Sequence, residues 1–214
     1  MGKVVAIDGP SGSGKSTLSK LLAARLGFRF LDTGALYRAV ALHLTEAGLA
    51  PESSDRQIRS ALDGVVVYFK DDRVLLNDRD VSDAIRTPEA GHYASVFSAR
   101  KPVRDFLLQI QRDAAIHDDI IAEGRDMTTV VFPGAWRKFY LDAPEESRAR
   151  RRYLQLREKG VSVTMEEALK DVSDRDIRDS RRDIAPLKRA EDAIYIDTTH
   201  MTLEEVTDAI LSSL

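Results

Sequence analysis

The sequence predicts an α/β fold in which a parallel sheet of about five strands carries helices on both faces. Short β-branched apolar runs alternate along the chain with longer segments whose apolar residues recur at helical spacing. This alternation is typical of parallel strands joined by helical crossovers. A glycine-rich motif also separates the first apolar run from the first helical pattern. The predicted strands cover residues 4–7, 28–32, 120–122, 138–142 and 193–197.

Composition limits the classes of function. The chain has 214 residues, of which 43% are hydrophobic and 31% are charged, and this suffices for one α/β domain with small additions. A net charge of −3 argues against a globally basic nucleic-acid binder. Cysteine is absent, so disulfides, thiolate metal sites and a cysteine nucleophile are excluded. Without a visible signal peptide or an apolar run of membrane length, we expect a soluble, cytoplasmic protein with no membrane partner.

The glycine-rich motif Gly9–Thr17 matches the P-loop pattern G-x-x-x-x-G-K-[ST] at every fixed position. Its glycines allow the backbone to approach a ligand closely, and its N–H groups together with the next helix favour phosphate. Lys15 is expected to reach the β- and γ-phosphates as a catalytic residue, and the Ser16 hydroxyl is expected to bind Mg²⁺. The predicted triphosphate site therefore comprises Gly9, Pro10, Ser11, Gly12, Ser13, Gly14, Lys15, Ser16 and Thr17.

The segment after the second strand predicts several helices and a small β-rich insertion. Two apolar runs, 65–69 and 74–76, flank the polar stretch 70–73, which indicates a β-hairpin within an insertion over about 63–84. One helical pattern follows Asp32-Thr33-Gly34, and others begin at Asp55, Pro88 and Pro102. Arg38 lies in the first turn of its helix, where a cation opposes the helix dipole. Both a solvated arginine and an arginine directed at a phosphate remain open for this position.

Two arginine clusters lie on consecutive helices near the C-terminal end. One helix starts at Pro144 and ends near Gly160, and the next starts with the capping box Thr164–Glu167. Arginine stays protonated and presents a fork to phosphate oxygens, so such a helix–loop–helix can close over a triphosphate. The clusters contain Arg148, Arg150, Arg151, Arg152 and Arg157, then Arg175, Arg178, Arg181 and Arg182. For Arg150, Arg151 and Arg157 a solvated helix face remains equally open.

Charged residues also gather at the predicted carboxyl ends of the strands, where ligands bind in parallel sheets. They are Asp8, Asp32, Glu123, Arg125, Asp126 and Asp142. Each alone could be a solvated loop residue, but together beside a phosphate-binding loop they favour a site. A further strand at 193–197 and the capping box Thr202–Glu205 complete the pattern with a C-terminal helix.

Five motifs make the chain resemble bacterial-type cytidylate kinases, within the P-loop nucleoside monophosphate kinases, over essentially its whole length. They are IDGPSGSGK at 7–15, LDTGALYR at 31–38, GRDMTTVVFP at 124–133, RDIRD at 175–179 and IAPL at 184–187. The second and third are far more specific than the P-loop itself. The resemblance implies transfer of a phosphoryl group from ATP to CMP or dCMP, with Mg²⁺, in a protein that we expect to be a monomer without a nucleic-acid partner.

The resemblance also implies a role for each matching residue. Thr33, Arg38 and Arg125 would hold the acceptor phosphate, and Ser95, Arg104 and Asp126 would read cytosine. Arg175 and Asp179 would bind the sugar, and Arg182 would bridge the two phosphates. Arg178 and Arg182 join Lys15 as expected catalytic residues, and Arg148 and Arg152 join the P-loop in binding ATP.

The expected organisation is one P-loop kinase domain. Its core covers 1–32, 118–147 and 183–214, its acceptor-binding region covers 33–117, and an arginine-rich helical lid covers 148–182. Three positions depart from the family pattern: Thr33 replaces a common Ser, Glu123 a usual Asp, and Thr128 a common Gly. The change at Thr128 would be unfavourable if its turn needs positive φ.

Two other functions stay open. One is a P-loop kinase for another small acceptor, such as a different nucleotide or shikimate. The other is a nucleotide-binding regulator that hydrolyses slowly and signals through shape. A regulator of this kind needs a segment that orders and disorders and a residue that positions water, and the sequence contains no motif for either.

Overall fold

A computed structural model describes residues 2–70 and 73–214 and divides the chain into two compact units. The first unit combines the chain up to Leu31 with Ala115–Leu214, and the second is Asp32–Ala114. The strands are β1 (Val4–Asp8), β2 (Arg29–Asp32), β3 (Val67–Lys70), β4 (Arg73–Leu76), β5 (Arg79–Asp80), β6 (Ile120–Gly124), β7 (Arg137–Asp142) and β8 (Ile194–Asp197). The α-helices are α1 (Lys15–Leu26), α2 (Thr33–Glu46), α3 (Asp55–Leu62), α4 (Pro88–Phe97), α5 (Lys101–Asp113), α6 (Glu145–Glu158), α7 (Met165–Arg181) and α8 (Leu203–Leu211).

The first unit is built on a five-stranded sheet in the order β2-β6-β1-β7-β8 among the described strands. β1 lies at its centre and pairs in parallel with β6 and β7, and β7 pairs in parallel with β8. Val5 and Ile7 of β1 pack in the same core cluster as residues of α1 and α8. Val4 and Ala6, on the opposite face of β1, are equally buried, so the strand is covered on both sides. The predicted α/β class with a parallel sheet covered by helices on both faces is confirmed.

The second unit contains an antiparallel sheet in the order β3-β4-β5. The predicted hairpin is confirmed as β3 and β4, although Val66, at 54% exposure, precedes the first strand instead of joining it. The turn predicted over 70–73 includes Asp71 and Asp72, which lie outside the described residues. The short polar strand β5 was not predicted. The polypeptide enters it through Asn77 and Asp78, which both have positive φ.

The helix boundaries follow local rules of capping. Thr87 accepts a hydrogen bond from Ala90 N–H ahead of Pro88, as its type and place predict. The predicted capping boxes Thr164–Glu167 and Thr202–Glu205 are both formed. In the second unit α2 packs on α4 and α3 on α5, while in the first unit α6 packs on α7. No helix among the described residues is long and apolar enough to cross a membrane.

Candidate functional site

The loop between β1 and α1 contains two glycines at which any side chain would be strained. Gly9 has φ 152°, and a Cβ there would lie 2.0 Å from the carbonyl oxygen of Leu141. Gly12 has φ 76°, and a Cβ there would lie 2.7 Å from the carbonyl oxygen of Arg148. Both positions therefore combine a left-handed backbone with close packing against a neighbouring main chain. Glycines in such conformations let the chain turn sharply before α1, which is what a phosphate-binding loop requires.

Lys15 is buried beneath this loop, with 5% of its surface exposed. Its ammonium group donates to the Pro10 carbonyl at 2.7 Å and to Ser13 Oγ at 3.1 Å. Burial, followed by the charge of Arg125, lowers the pKa of Lys15 to about 7, and the nearby carboxylates of Glu123 and Asp8 act against that shift. An anionic ligand at the loop would favour the charged ammonium for the same electrostatic reason.

Ser16 and Glu123 bring two oxygen groups together beside the P-loop. The Ser16 hydroxyl donates to Glu123 Oε1, and the Glu123 residue is buried at the end of β6. Hydroxyl and carboxylate oxygens are suitable ligands for a hard cation such as Mg²⁺. Among the described residues no group of three or more acidic, histidine or cysteine side chains forms a metal cage.

Asp8, the last residue of β1, is bound to the segment that follows β6. Its carboxylate accepts from Met127 N–H at 2.9 Å, from Thr128 N–H at 2.7 Å and from the Thr128 hydroxyl at 2.7 Å. Residues Met127–Val131 form a short π-helix, which the sequence did not predict. Positive φ occurs among the described non-glycine residues only at Asn77, Asp78 and Ala185. The concern about a turn with positive φ at Thr128 is therefore wrong, and the threonine instead adds a buried hydrogen bond.

Arg148 joins the start of α6 to the P-loop. Its guanidinium donates to the carbonyls of Ala143, at 2.8 Å, and of Ser11, at 2.9 Å, and it forms an ion pair with Asp176 of α7. Asp176 also accepts from Ser11 N–H at 3.1 Å. One P-loop residue is therefore held through both its N–H and its carbonyl by a partly buried ion pair. The role of Arg148 in binding ATP stays a prediction, and Asp176 is a contributor that the sequence did not reveal.

A second group of charged side chains comes from the residues just after β6 and from the end of α7. Arg125 Nε donates to Asp179 Oδ2 at 2.8 Å. The Arg182 guanidinium lies 3.6 Å from Asp126 Oδ1 and 3.9 Å from Asp179 Oδ1, and its Nε donates to the Ala185 carbonyl. The side chains of Arg182 and Asp126 are only 4% and 3% exposed. Four residues predicted for the acceptor therefore form one alternating, largely buried set of charges.

The remaining predicted residues of the first unit lie along α6 and α7. Arg152 Nε donates to Asp171 Oδ2 at 3.0 Å, and Arg175 Nε lies 3.6 Å from the other oxygen of the same carboxylate. Burial lowers the pKa of Arg175 to about 10, which leaves it cationic at neutral pH. Arg178 donates through Nε to the Asp174 carbonyl, while its buried Nη1 has no partner in the described part of the chain.

Thr33 and Arg38, in the second unit, lie at the start of α2. Asp32 caps this helix by accepting from Ala35 N–H at 2.9 Å, and its other oxygen lies 3.3 Å from Arg38 Nη2. This ion pair offsets the unfavourable position of a cation in the first turn. Thr33 is 2% exposed, and Arg38 Nε is buried without a hydrogen-bond partner among the described residues.

Ser95 and Arg104, also in the second unit, lie on α4 and α5. Arg104 is 7% exposed, donates to the Ser98 carbonyl at 3.2 Å, and has its guanidinium 5.5 Å from the centre of the Tyr37 ring. Ser95 Oγ is buried and has no hydrogen-bond partner within residues 2–70 and 73–214. Buried polar atoms without partners are uncommon in proteins, and one explanation is a ligand that satisfies them.

The three arginines of α6 whose role the sequence did not decide differ in their exposure and contacts. Arg150 and Arg157 are exposed. Arg151 is half-buried and donates to the hydroxyl of Thr198 at 2.9 Å and to the Thr198 carbonyl, and thus holds the segment after β8. Its side chain also lines a cavity of about 200 Å³ together with Ser13 and Thr17 of the P-loop and Met201. The helical pattern alone could not distinguish Arg151 from its exposed neighbours.

Comparison with known proteins gives consistent matches. The family model described as "Cytidylate kinase" matches residues 5–214. The chain is 51% identical to a cytidylate kinase of Thermodesulfovibrio yellowstonii, with 100% of this chain and 98% of the relative covered. It is also 51% identical to a cytidylate kinase of Thermosipho melanesiensis, with 97% and 94% covered. A crystal structure of an uncharacterized protein from Eubacterium ventriosum superposes with a TM-score of 0.53 at 13% identity, covering 100% and 98% of the two chains, and supports the fold alone.

Proposed function

The chain belongs to the cytidylate kinase family, and we propose that it transfers the γ-phosphoryl group of ATP to CMP and dCMP. An oxygen of the acceptor phosphate attacks the γ-phosphorus, the bond from that phosphorus to the β–γ bridging oxygen breaks, and ADP leaves. Catalysis of this step requires positioning and stabilisation of charge rather than covalent chemistry by the protein. The full-length match to the family carries the proposal.

The P-loop is proposed to bind the triphosphate. Gly9–Thr17 supplies backbone N–H groups, and Lys15 supplies a buried cation whose charge the phosphates would favour. Ser16 would hold Mg²⁺ together with phosphate oxygens and water, since its hydroxyl and the adjacent Glu123 carboxylate suit that ion. When bound, the ion neutralises charge on the β- and γ-phosphate oxygens. Arg148 and Arg152 are proposed to add positive charge on the same side of the reaction.

The acceptor residues are proposed to act as two sets, one in each unit. In the second unit Thr33 and Arg38 would bind the acceptor phosphate, and Ser95 and Arg104 would bind cytosine. Two of these four side chains carry a buried polar atom with no partner in the described chain, which a bound nucleotide would satisfy.

In the first unit every proposed role except that of Arg178 uses a charge that is already paired. Arg125 would join the phosphate clamp, Asp126 would accept from the 4-amino group of cytosine, and Arg175 and Asp179 would bind the sugar. Arg182 would bridge the two phosphates, and Arg178, with its unpartnered Nη1, would contact the transferring group. We further propose that the protein acts as a cytoplasmic monomer without nucleic-acid or membrane partners, consistent with its net charge of −3.

The test is ADP release from ATP and Mg²⁺ with CMP, dCMP, UMP, AMP, GMP and shikimate as separate acceptors. We expect CMP to be preferred over UMP by at least about tenfold in kcat/KM, because uracil would leave the Asp126 carboxylate facing a carbonyl oxygen. Lys15→Ala is the control for the P-loop and should lower kcat by about 100-fold or more. Asp126→Asn should reduce the preference for CMP, mainly by loss of CMP activity.

The outcome also separates the competing functions. Equal activity with all nucleotides would contradict cytosine recognition, and a preference for shikimate or another nucleotide would assign a different acceptor. ADP release that is slow and independent of every acceptor would indicate a nucleotide-binding regulator.

A further inference from the structure

The carboxylate of Asp8 has no assigned role in the reaction, although it is fully buried and accepts three hydrogen bonds from two residues. Two of the bonds come from the main chain at Met127 and Thr128, and any residue except proline would supply them. The third comes from the Thr128 hydroxyl, which only a residue with a side-chain donor could supply. The side chain of residue 128 therefore adds a bond of its own to a buried carboxyl group.

These bonds fix one end of a two-residue connection, and the parallel pairing of β1 with β6 fixes the other. Asp8 of β1 lies opposite Gly124 of β6 in the parallel register, so the chain leaves the sheet at that level. It is held again at Met127 by the Asp8 carboxylate. Arg125 and Asp126 are the residues between these two points. The Asp126 carbonyl also accepts from Val130 and Val131 N–H at 2.9 and 3.1 Å, which ties it to the π-helix.

Repulsion between the Asp8 and Asp126 carboxylates also restricts the orientation of the Asp126 side chain. Burial raises the pKa of Asp8, and the neighbouring charge of Asp126 adds to the rise. The two carboxylates therefore repel each other, while Asp126 lies 3.6 Å from the guanidinium of Arg182. Asp8 holds the main chain beside Asp126 and at the same time disfavours any turn of the Asp126 carboxylate toward itself.

We propose that Asp8 and Thr128 are positioning residues for acceptor selectivity, because their buried hydrogen bonds fix Asp126 where it accepts from the amino group of cytosine. This inference rests on the proposed function, since it requires Asp126 to read the base. Neither residue needs to touch the nucleotide. The Thr128 hydroxyl is the part that a single substitution can remove while the main-chain bonds remain.

The experiment compares Thr128→Val, which removes the hydroxyl at nearly constant volume, with Thr128→Ser, which keeps it. The matched control is Thr129→Val, because the Thr129 hydroxyl is buried without a partner in the described residues. We expect Thr128→Val to lower kcat/KM for CMP by about tenfold, the effect of losing one hydrogen bond to a charged group. The KM for ATP should stay unchanged, the preference for CMP over UMP should shrink, and Thr128→Ser should behave like the wild type. Thr129→Val should leave all of these constants unchanged.

Each contrary result has a separate meaning. A wild-type protein that does not prefer CMP would overturn the proposed function itself. If the wild type prefers CMP but Thr128→Val keeps the full preference, only the present inference is wrong. It is also wrong if Thr128→Ser is as impaired as Thr128→Val, or if Thr129→Val alters selectivity equally. Thermal unfolding is followed for every variant, and Thr128→Ala replaces Thr128→Val if the latter does not fold.

Discussion

Arginines of the first unit are bound in two different ways on neighbouring helices. Arg148 and Arg151 of α6 donate mainly to main-chain carbonyls, those of Ala143, Ser11 and Thr198. We refer to these two as the carbonyl-bound arginines. The other set lies after β6, on α6 and on or after α7, and its members face carboxylates. These carboxylate-paired arginines are Arg125, with Asp179, Arg152 and Arg175, both with Asp171, and Arg182, with Asp126 and Asp179.

The difference indicates which arginines can accept a new anion. A guanidinium that holds carbonyls keeps a segment of backbone in place, so removing it leaves buried carbonyls without donors. A guanidinium that faces a carboxylate already lies in a site built for negative charge, and a phosphate can take the place of that carboxylate. We therefore expect the carboxylate-paired set to control turnover and substrate binding. The carbonyl-bound set should contribute mainly to stability, with Arg148 adding charge beside the P-loop as well.

The largest expected effect is at Arg182. Arg182→Gln removes the charge proposed to bridge the two phosphates, so we expect kcat to fall by about 1,000-fold, at the lower end of the effect of an arginine at a transferring phosphoryl group. Steady-state ADP release with CMP measures it. Arg150→Gln, an exposed arginine of α6, is the control and should be neutral. A kcat close to that of the wild type would show that pairing with carboxylates does not mark the reacting arginines.

A smaller effect is expected at the phosphate clamp. Arg125→Lys and Arg38→Lys keep the charge but lose the fork, and each should raise the KM for CMP by about tenfold. Both arginines face a carboxylate, Asp179 and Asp32 respectively, so this pair extends the comparison to the second unit. The KM for ATP is measured on the same variants and should change less. Equal changes in both constants would argue against a clamp on the acceptor.

Some elements of the fold could be predicted from the sequence, and others could not. The P-loop, the capping boxes and the strands of the parallel sheet have local causes, namely glycine spacing, cap residues and apolar runs, and the structure contains all of them. β5 was not predicted because it consists of two polar residues, Arg79 and Asp80, which show no alternation of apolar and polar side chains. The π-helix was not predicted because its start is held by Asp8, which is 119 residues from Met127 in sequence.

The candidate site likewise contains residues that the sequence identified and residues that only the structure revealed. Residues such as Arg125 and Arg182 were assigned through the resemblance to the family, and the structure places them in one charged set with Asp126 and Asp179. Asp176 was not assigned, because its contact with Ser11 joins positions 165 residues apart and depends on how α7 packs. Sequence patterns can indicate which side chains carry chemistry, but long-range contacts decide which of them hold the others in place.

The carbonyl-bound set is tested by Arg151→Gln. The variant loses donors to the hydroxyl and carbonyl of Thr198, and we expect the free energy of unfolding to fall by about 1 kcal/mol. The KM for CMP should not change, in contrast to Arg125→Lys. Chemical denaturation measures stability, and Arg157→Gln, an exposed arginine on the same helix, is the matched control. A large rise in the KM for CMP without loss of stability would remove the distinction between the two sets.

The smallest expected effect is at Asp176, where the two kinds of contact meet. Arg148 is carbonyl-bound but also pairs with Asp176, and that carboxylate accepts from Ser11 N–H in the P-loop. Asp176→Asn keeps an acceptor for this N–H and removes the charge, whereas Asp176→Ala removes both. Because Arg148 retains the carbonyls of Ala143 and Ser11, neither variant should unfold the protein.

We expect Asp176→Ala to raise the KM for ATP about threefold, the effect of one weak net hydrogen bond, and Asp176→Asn to raise it less. Asp174→Asn, at an exposed position of α7, is the control. If Asp176→Asn is as impaired as Asp176→Ala, the charge of Asp176 rather than its bond to Ser11 orders the loop, and Arg148 belongs with the carboxylate-paired arginines.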